Sequence, residues 1–220
     1  MVVRTEALPP VHWVLHRLAL WLFGLTGWRT EGEVPAVSHC VIIAAPHTSY
    51  WDALLMVTAG CAFNVKFSWM VKDAAFFFPL GILVRAFGGI AIDRSRRTNV
   101  VAQAIETFRT TPALALAVSP EGTRRRSDHW KTGFYQIALG AKVPIVLSYL
   151  DYKRKVAGLG PTFQPTGDIE ADFREFAAFY EHVTPRHPEL RGRVALRPPA
   201  DTQPPPRAPL EGGDRDAPGG

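Results

Sequence analysis

The sequence predicts an α/β protein whose mixed, mostly parallel sheet has helices on both faces and is preceded by an N-terminal amphipathic helix. Short β-branched apolar runs alternate along the chain with longer segments of helical periodicity, a pattern typical of a sheet covered on both faces. With 220 residues, of which 47% are apolar, the chain is long enough for one such domain and too apolar to be wholly disordered.

The first element is a helix predicted over residues 10–27. At about 100° per residue, one arc of this helix collects most of its large apolar side chains, namely Val11, Val14, Leu15, Leu18, Trp21, Leu22 and Leu25. The polar side chains lie opposite, interrupted by Trp13 and Leu20. Such a helix suits the headgroup layer of a membrane, but it can also pack against its own domain or belong to a cleaved signal peptide. Its continuous apolar run is too short to span a bilayer.

The remaining strands are predicted from short apolar runs, and the remaining helices from apolar residues at helical spacing. Strands are predicted at residues 28–35, 40–45, 65–71, 89–92, 113–118 and 143–150, with a hairpin partner at 152–157. Helices are predicted at residues 52–62, 74–87, 98–110, 130–142 and 168–182. We therefore expect a helix over 1–27, a folded domain over 28–183 and a disordered tail over 184–220, since 7 Pro and 4 Gly fall between residues 197 and 220.

The chain carries a formal charge of +5, which suggests an anionic partner but does not choose between nucleic acid, membrane and phosphorylated substrate. The basic residues fall in two turns without interleaved aromatic residues, a pattern that argues against nucleic acid. Two cysteines exclude a disulfide framework and a multi-cysteine zinc site, so no metal or cofactor is expected.

Three polar segments each follow a predicted strand, the position at which functional residues of such sheets gather. In the first, His47 precedes Asp52 by five residues at a strand-to-helix turn. The carboxylate can orient the imidazole and stabilise its protonated form, which makes the other ring nitrogen a general base. The alternative is that Asp52 only caps the helix.

The second and third segments are basic. Arg94 follows the strand at 89–92 and can form a forked contact with a phosphate, unless it is an ordinary surface ion pair. In the third segment, Pro120 to Arg124, Gly122 permits a tight turn. Thr123 and backbone N–H groups can hold a phosphate with Arg124 as the countercharge, unless this segment is a simple charged turn. Glu121 repels an anion and is better suited to anchoring the turn.

These segments, in this order, resemble the sequence blocks of the phospholipid/glycerol acyltransferases, typified by 1-acylglycerol-3-phosphate acyltransferase. The blocks are His47 to Asp52, Gly89 to Arg94, Pro120 to Arg124 and the apolar Val143-Pro144-Ile145, and the resemblance extends from about residue 28 to 150. Pro46 stands where the family more often has Asn, and Ser119 where it usually has Phe. These departures leave the acceptor lipid open.

The resemblance implies transfer of an acyl group from acyl-CoA or acyl carrier protein, as co-substrate, to a lysophospholipid hydroxyl, with 1-acylglycerol 3-phosphate preferred. It assigns His47 and Asp52 to catalysis and five residues to the acceptor phosphate: Arg94, Glu121, Gly122, Thr123 and Arg124. Lys72 and Lys131 are further candidate contacts. It also implies a monotopic or peripheral enzyme on the cytoplasmic face of the cell membrane.

Other functions are also consistent with the sequence. The acceptor can instead be lyso-ornithine lipid, another lysophospholipid or glycerol 3-phosphate, although enzymes for the last usually carry extra N-terminal regions. A hydrolase and a non-catalytic lipid-binding relative are the remaining alternatives. The sequence does not indicate an oligomeric state.

Overall fold

The computed structural model describes residues 7–72, 76–86, 88–92 and 97–198. Their framework is a seven-stranded sheet with strand order β1-β7-β6-β2-β5-β3-β4. The strands are β1 (Arg29–Glu31), β2 (His39–Ala44), β3 (Phe67–Lys72), β4 (Gly89–Ile92), β5 (Leu114–Val118), β6 (Ile145–Asp151) and β7 (Val156–Phe163). The helices are α1 (Trp13–Thr26), α2 (Tyr50–Ala62), α3 (Leu80–Ala86), α4 (Arg97–Thr110), α5 (Gly133–Ala141) and α6 (Ile169–Tyr180).

Strand direction places the ends of five strands at one edge of the sheet. β2 pairs in parallel with β5 and β6, and β3 pairs in parallel with β5 and β4. β7 runs antiparallel to β6, and β1 pairs in parallel with β7. The predicted mixed, mostly parallel sheet is thus confirmed, and the carboxyl ends of β2, β3, β4, β5 and β6 lie at the same edge.

Alternation along β2 divides the core into two layers. Val41 and Ile43 pack with the buried aromatic side chains of α5 and α6 on one face of the sheet. Cys40 and Ile42 belong to the layer on the opposite face, where α1 and α2 pack against each other. Both faces of the central strands are therefore covered, as their nearly continuous apolar sequence indicates.

The N-terminal helix α1 packs on α2 through a narrow strip of its surface. Ala19 and Phe23 are its buried residues, and Nδ1 of His16 lies 2.9 Å from the carbonyl oxygen of Cys61 at the end of α2. The apolar arc faces away from the body, so that Trp21 and Leu25 are 61% and 69% exposed. Most of the apolar arc is therefore exposed, although Val11 and Leu15 line a small cavity with residues of α2. Among the described residues, none of the helices has the length and apolar character needed to cross a membrane.

Several segments differ from the sequence expectation. β1 and α3 are shorter than the predicted ranges 28–35 and 74–87, and β7 extends to Phe163, beyond the predicted 152–157. Residues 152–155 form the turn between β6 and β7 rather than part of a strand, because Oδ1 of Asp151 accepts the N–H of Arg154 at 3.1 Å and Lys155 has φ of 49°. Residues 184–198, which the sequence places in the tail, lie along the folded domain: the Ala195 carbonyl accepts the N–H of Trp130 at 2.9 Å. Residues 199–220 lie outside the described part of the chain.

Candidate active site

The candidate site begins where β2 ends. His47 lies in the short segment between β2 and α2, and α2 begins at Tyr50, two residues before the predicted start. The earlier start has a local cause, since Ser49 accepts the N–H of Trp51 and forms a capping box with Asp52. The cap fixes Asp52 in the first turn of α2, facing back toward His47.

His47 and Asp52 form a close pair. Nδ1 of His47 lies 3.4 Å from Oδ2 of Asp52, while the two side chains are 18% and 1% exposed. Nδ1 is buried and makes no hydrogen bond within the described residues, so the Asp52 carboxylate at 3.4 Å is the acidic group that faces it. Asp52 therefore both caps α2 and faces His47, so its interpretation as a helix cap is compatible with its interpretation as the partner of the histidine.

The Asp52 carboxylate is held from several directions. Oδ2 accepts the backbone N–H groups of Thr48 at 2.7 Å and Ser49 at 2.8 Å, and Oδ1 accepts the hydroxyl of Tyr152 at 2.5 Å. Burial by itself raises the pKa of Asp52, but the contact with His47 and these three hydrogen bonds outweigh burial and hold the pKa below its ordinary value. The group is therefore an anion at neutral pH.

Glu121, in the segment that follows β5, contacts the segment that contains His47. Its side chain is buried, and Oε2 accepts the backbone N–H of His47 at 2.8 Å. Burial raises the pKa of Glu121 to about 7, against the lowering effect of His47. In this structure the carboxyl group thus faces the histidine segment, which follows β2, and joins it to the segment that follows β5.

The basic turn after β5 follows directly on Glu121. Gly122 adopts φ of 62°, and its N–H donates to the Ser119 carbonyl at 3.3 Å. Thr123 and Arg124 follow on the exposed surface, with the guanidinium carbon of Arg124 3.7 Å from the centre of the Tyr50 ring. Stacking on an aromatic ring fixes the direction of the guanidinium group without neutralising it.

A cleft of about 680 Å³ connects the two sides. Its lining includes His47 together with Gly122, Thr123 and Arg124, so the candidate base and the candidate phosphate turn face the same space. A second, more apolar cavity of about 560 Å³ lies beneath it, between β5, α4 and α5. Both cavities are lined by Met70, Val118 and Ser119, and the buried hydroxyl of Ser119 has no hydrogen-bond partner in the described residues.

The structure describes the other predicted site residues to different extents. Lys131 reaches the turn: a Cβ atom added to Gly122 would lie 2.4 Å from the Lys131 ammonium. Lys72 ends β3 at the same edge of the sheet, but its side chain is not among those described, and Arg94 lies outside the described residues. The roles of all nine predicted site residues remain predictions.

Tyr152 belongs to the site, although no sequence block contains it. It follows β6, which pairs with β2, and so reaches Asp52 from a segment 100 residues away. Position after a neighbouring strand is the one signal in the sequence that points to it. The described residues contain no cluster of three His, Cys, Asp or Glu side chains able to bind a metal ion.

This arrangement can perform general-base chemistry beside a bound anion. A histidine oriented by a buried carboxylate can accept a proton from a hydroxyl group. Backbone N–H groups of a glycine turn and an adjacent guanidinium group are suited to a phosphate. Among the described residues, neither cysteine lies in the cleft lining, so a covalent thioester on the enzyme has no nucleophile there.

Comparison with known proteins agrees with this geometry. The family model named acyltransferase matches residues 28–148, whereas no curated protein sequence shows a significant match. Among solved structures, the chain is similar to the 1-acyl-sn-glycerophosphate (LPA) acyltransferase PlsC from Thermotoga maritima, with a TM-score of 0.50 and 15% sequence identity over 74% of each chain. At this identity the structural likeness is one of fold. The family model spans more than half of the chain, and this protein therefore belongs to the acyltransferase family.

Proposed function

We propose that this acyltransferase moves a fatty acyl group from acyl-CoA or acyl carrier protein to the hydroxyl of a lysophospholipid, with 1-acylglycerol 3-phosphate as the preferred acceptor and phosphatidic acid as the product. The observation that carries the proposal is the cleft in which His47, paired with buried Asp52, faces the turn of Gly122 to Arg124. The fold shared with PlsC, an LPA acyltransferase, supports the same acceptor.

In the proposed reaction, His47 removes the proton from the acceptor hydroxyl while Asp52 stabilises the resulting imidazolium. The alkoxide attacks the thioester carbonyl, and the tetrahedral intermediate collapses with loss of the thiolate of the donor. The imidazolium then returns the proton to this thiolate, so that the ester and the free thiol leave and the histidine regains its starting form.

The acceptor phosphate lies, in this proposal, on the exposed turn after β5. Arg124 supplies a fixed cation, and Thr123 supplies a hydroxyl at the mouth of the same cleft. Lys131 adds a second positive charge behind Gly122. By resemblance Arg94 contributes a third.

The apolar cavity beside the cleft is suited to the acyl chain. Its lining includes Val101, Phe134 and Ile137, and it meets the cleft at Ser119. Burying an alkyl chain stabilises the complex by about 0.8 kcal/mol for each CH₂ group removed from water. The hydroxyl of Ser119 makes no hydrogen bond within the described residues, and we propose it as a donor to a carbonyl group that passes between the two cavities.

An acceptor panel separates this proposal from its alternatives. Purified protein is mixed with labelled acyl-CoA, or acyl carrier protein, and with 1-acylglycerol 3-phosphate, lyso-ornithine lipid, other lysophospholipids or glycerol 3-phosphate, and products are identified by mass spectrometry. We expect phosphatidic acid as the main product. Release of free fatty acid in every reaction would instead identify a hydrolase, and no product at all a non-catalytic relative.

We also infer that α1 holds the protein at a membrane surface, where its lipid substrates lie. Most of the apolar arc of α1 faces away from the body, with Trp21 at 61% and Leu25 at 69% exposure. Tyr50 and Trp51, at the start of α2 beside His47, are 76% and 55% exposed. Exposed apolar patches of this kind mark interaction sites, and Trp residues favour the headgroup region.

Liposome sedimentation tests the role of α1. We expect the double variant Trp21→Glu/Leu25→Glu to lose most binding to vesicles that contain phosphatidylglycerol, since two charges would enter the apolar arc. The matched control, Thr110→Glu/Ala178→Glu, adds the same two charges at exposed positions of α4 and α6 and should keep most of the binding. Undiminished binding of the α1 variant would contradict the inference.

A further inference from the structure

Asp52 makes a contact that a histidine–carboxylate pair does not by itself require. Its Oδ1 atom accepts the hydroxyl of Tyr152 at 2.5 Å, whereas Oδ2 faces His47 and two backbone amides. Each oxygen of the carboxylate thus has its own partners. Tyr152 is the side chain that fixes the oxygen turned away from the histidine.

The position of Tyr152 is itself fixed. Its ring packs edge-on against Trp28 with the ring centres 5.2 Å apart, and its backbone N–H donates to the carbonyl of Thr184 at 2.9 Å. In the same segment, which follows α6, the N–H of His187 donates to Oγ1 of Thr48 at 3.3 Å. The segment after α6 therefore ties Tyr152 to the residue that follows His47.

Arg186, in the same segment, lies over the rings of Trp51 and Tyr152, at 5.6 Å and 5.9 Å from their centres. Its guanidinium group also interacts with the Tyr152 hydroxyl and opposes the rise in the pKa of Tyr152 that burial and Asp52 produce. A cation beside the hydroxyl makes that hydroxyl a better donor to the carboxylate.

We propose that Tyr152 is a positioning residue for His47: its hydroxyl holds the Asp52 carboxylate in the orientation that faces the imidazole. Arg186 strengthens this contact from the protein surface. Both residues lie beyond residue 148, where the match to the family model ends. The inference rests on the proposed function for its kinetic consequences, but not for the geometry of the carboxylate.

The first test is Tyr152→Phe, which removes the hydroxyl and keeps the ring packed on Trp28. We expect kcat to fall about tenfold, the loss that corresponds to one hydrogen bond to a charged group, with the acceptor KM unchanged. The matched control is Tyr149→Phe, on β6, which removes a hydroxyl bonded to Glu31 outside the site. Equal kcat in the wild type and Tyr152→Phe would overturn the proposal.

A thermodynamic cycle separates positioning from a general loss of structure. If Tyr152 acts through the carboxylate, Tyr152→Phe should change kcat less than twofold in an Asp52→Asn background. The same tenfold loss in both backgrounds would show that the tyrosine acts elsewhere and would overturn the proposal.

A measurement without turnover completes the test. The Asp52 carboxyl is followed by carbon-13 NMR during a pH titration, its signal assigned by its disappearance in Asp52→Asn. Because the Tyr152 hydroxyl lowers the pKa of Asp52, Tyr152→Phe should make this carboxyl titrate at higher pH, and Tyr149→Phe should not. An unchanged titration overturns the proposal whether or not the wild type transfers acyl groups, whereas failure of the acceptor panel alone overturns the proposed function.

A variant at the exposed Arg186 covers the case in which Tyr152→Phe does not fold. Arg186→Gln should shift the Asp52 titration in the same direction by a smaller amount, because the hydroxyl becomes a weaker donor. A titration identical to that of the wild type would then overturn the proposal.

Discussion

On one side of the cleft, Asp52 and Glu121 are buried and bonded to backbone N–H groups, whereas on the other side Arg124 is exposed and rests on the exposed ring of Tyr50. We call the first the dyad side, which comprises His47, Asp52, Glu121 and Tyr152. The second is the arginine side, which comprises Gly122, Thr123, Arg124 and Lys131. The proposed chemistry and the proposed phosphate recognition thus fall to differently built groups of residues.

The difference has a physical reason. Buried carboxyl groups need fixed donors, since an unpaired charge in the interior costs far more than an exposed one. An anion-binding turn at the surface stays solvated and can exchange water for a phosphate. Changes on the dyad side should therefore alter kcat and stability, and changes on the arginine side should alter acceptor affinity.

The largest effect is expected for His47→Ala, which removes the base. We expect kcat for acyl transfer to fall about a thousandfold, within the range that general-base catalysis contributes, while vesicle binding persists. The matched control is His182→Ala, an exposed histidine after α6. Activity of His47→Ala near that of the wild type would remove the dyad side from the chemistry.

The next effect concerns stability on the dyad side and its dependence on pH. Burial raises the pKa of Glu121 to about 7, from 4.5 for the free side chain. Between these values the folded protein keeps a proton that the unfolded chain has lost, so stability is greatest below the lower value and falls as the pH rises to about 7. The expected loss from this group is at most about 3 kcal/mol.

Glu121→Gln isolates that contribution, because glutamine can still accept the N–H of His47 but does not titrate. Urea unfolding followed by Trp fluorescence between pH 5 and 8 should show the wild type losing stability relative to this variant. The control is Glu175→Gln, an exposed residue on α6. Parallel profiles for the wild type and Glu121→Gln would mean that the buried carboxyl does not set the stability of this side.

The two sides also differ in how far the sequence predicted them. The spacing of His47 and Asp52, and the turn from Pro120 to Arg124, were predicted from residue types after strands, and the sheet brought them to one cleft. Parallel strands explain this proximity, because their carboxyl ends meet at one edge. Tyr152 was missed since its contact with Asp52 spans 100 residues and depends on the pairing of β6 with β2.

The helix at the N-terminus shows a second limit of sequence patterns. Periodicity predicted its extent to within three residues at the start and one at the end. It did not say which arc faces the body. Ala19 and Phe23 decided this, because a small residue next to a ring permits close approach to α2 while the broad apolar arc faces outward.

On the arginine side the expected effect is smaller and appears in affinity. Arg124→Ala should raise the acceptor KM about tenfold, as loss of one charge-assisted contact to phosphate implies, with kcat nearly unchanged. Arg126→Ala is the matched control, since Arg126 is equally exposed and does not line the cleft. A fall in kcat with constant KM would place Arg124 with the chemistry and remove the contrast between the sides.

The smallest effect is expected at Gly122, where the backbone of the arginine side has a positive φ. An alanine there must adopt φ near 62° and would place its Cβ 2.4 Å from the Lys131 ammonium. The backbone conformation costs roughly 1 kcal/mol, and the lysine, being the end of a flexible side chain, must move. We expect Gly122→Ala to lower the free energy of unfolding by about this amount and to raise the acceptor KM about threefold. Gly24→Ala, in open space within α1, should not lower stability. If Gly122→Ala lost stability but kept its KM, Lys131 would lie outside the phosphate site and the arginine side would reduce to Thr123 and Arg124.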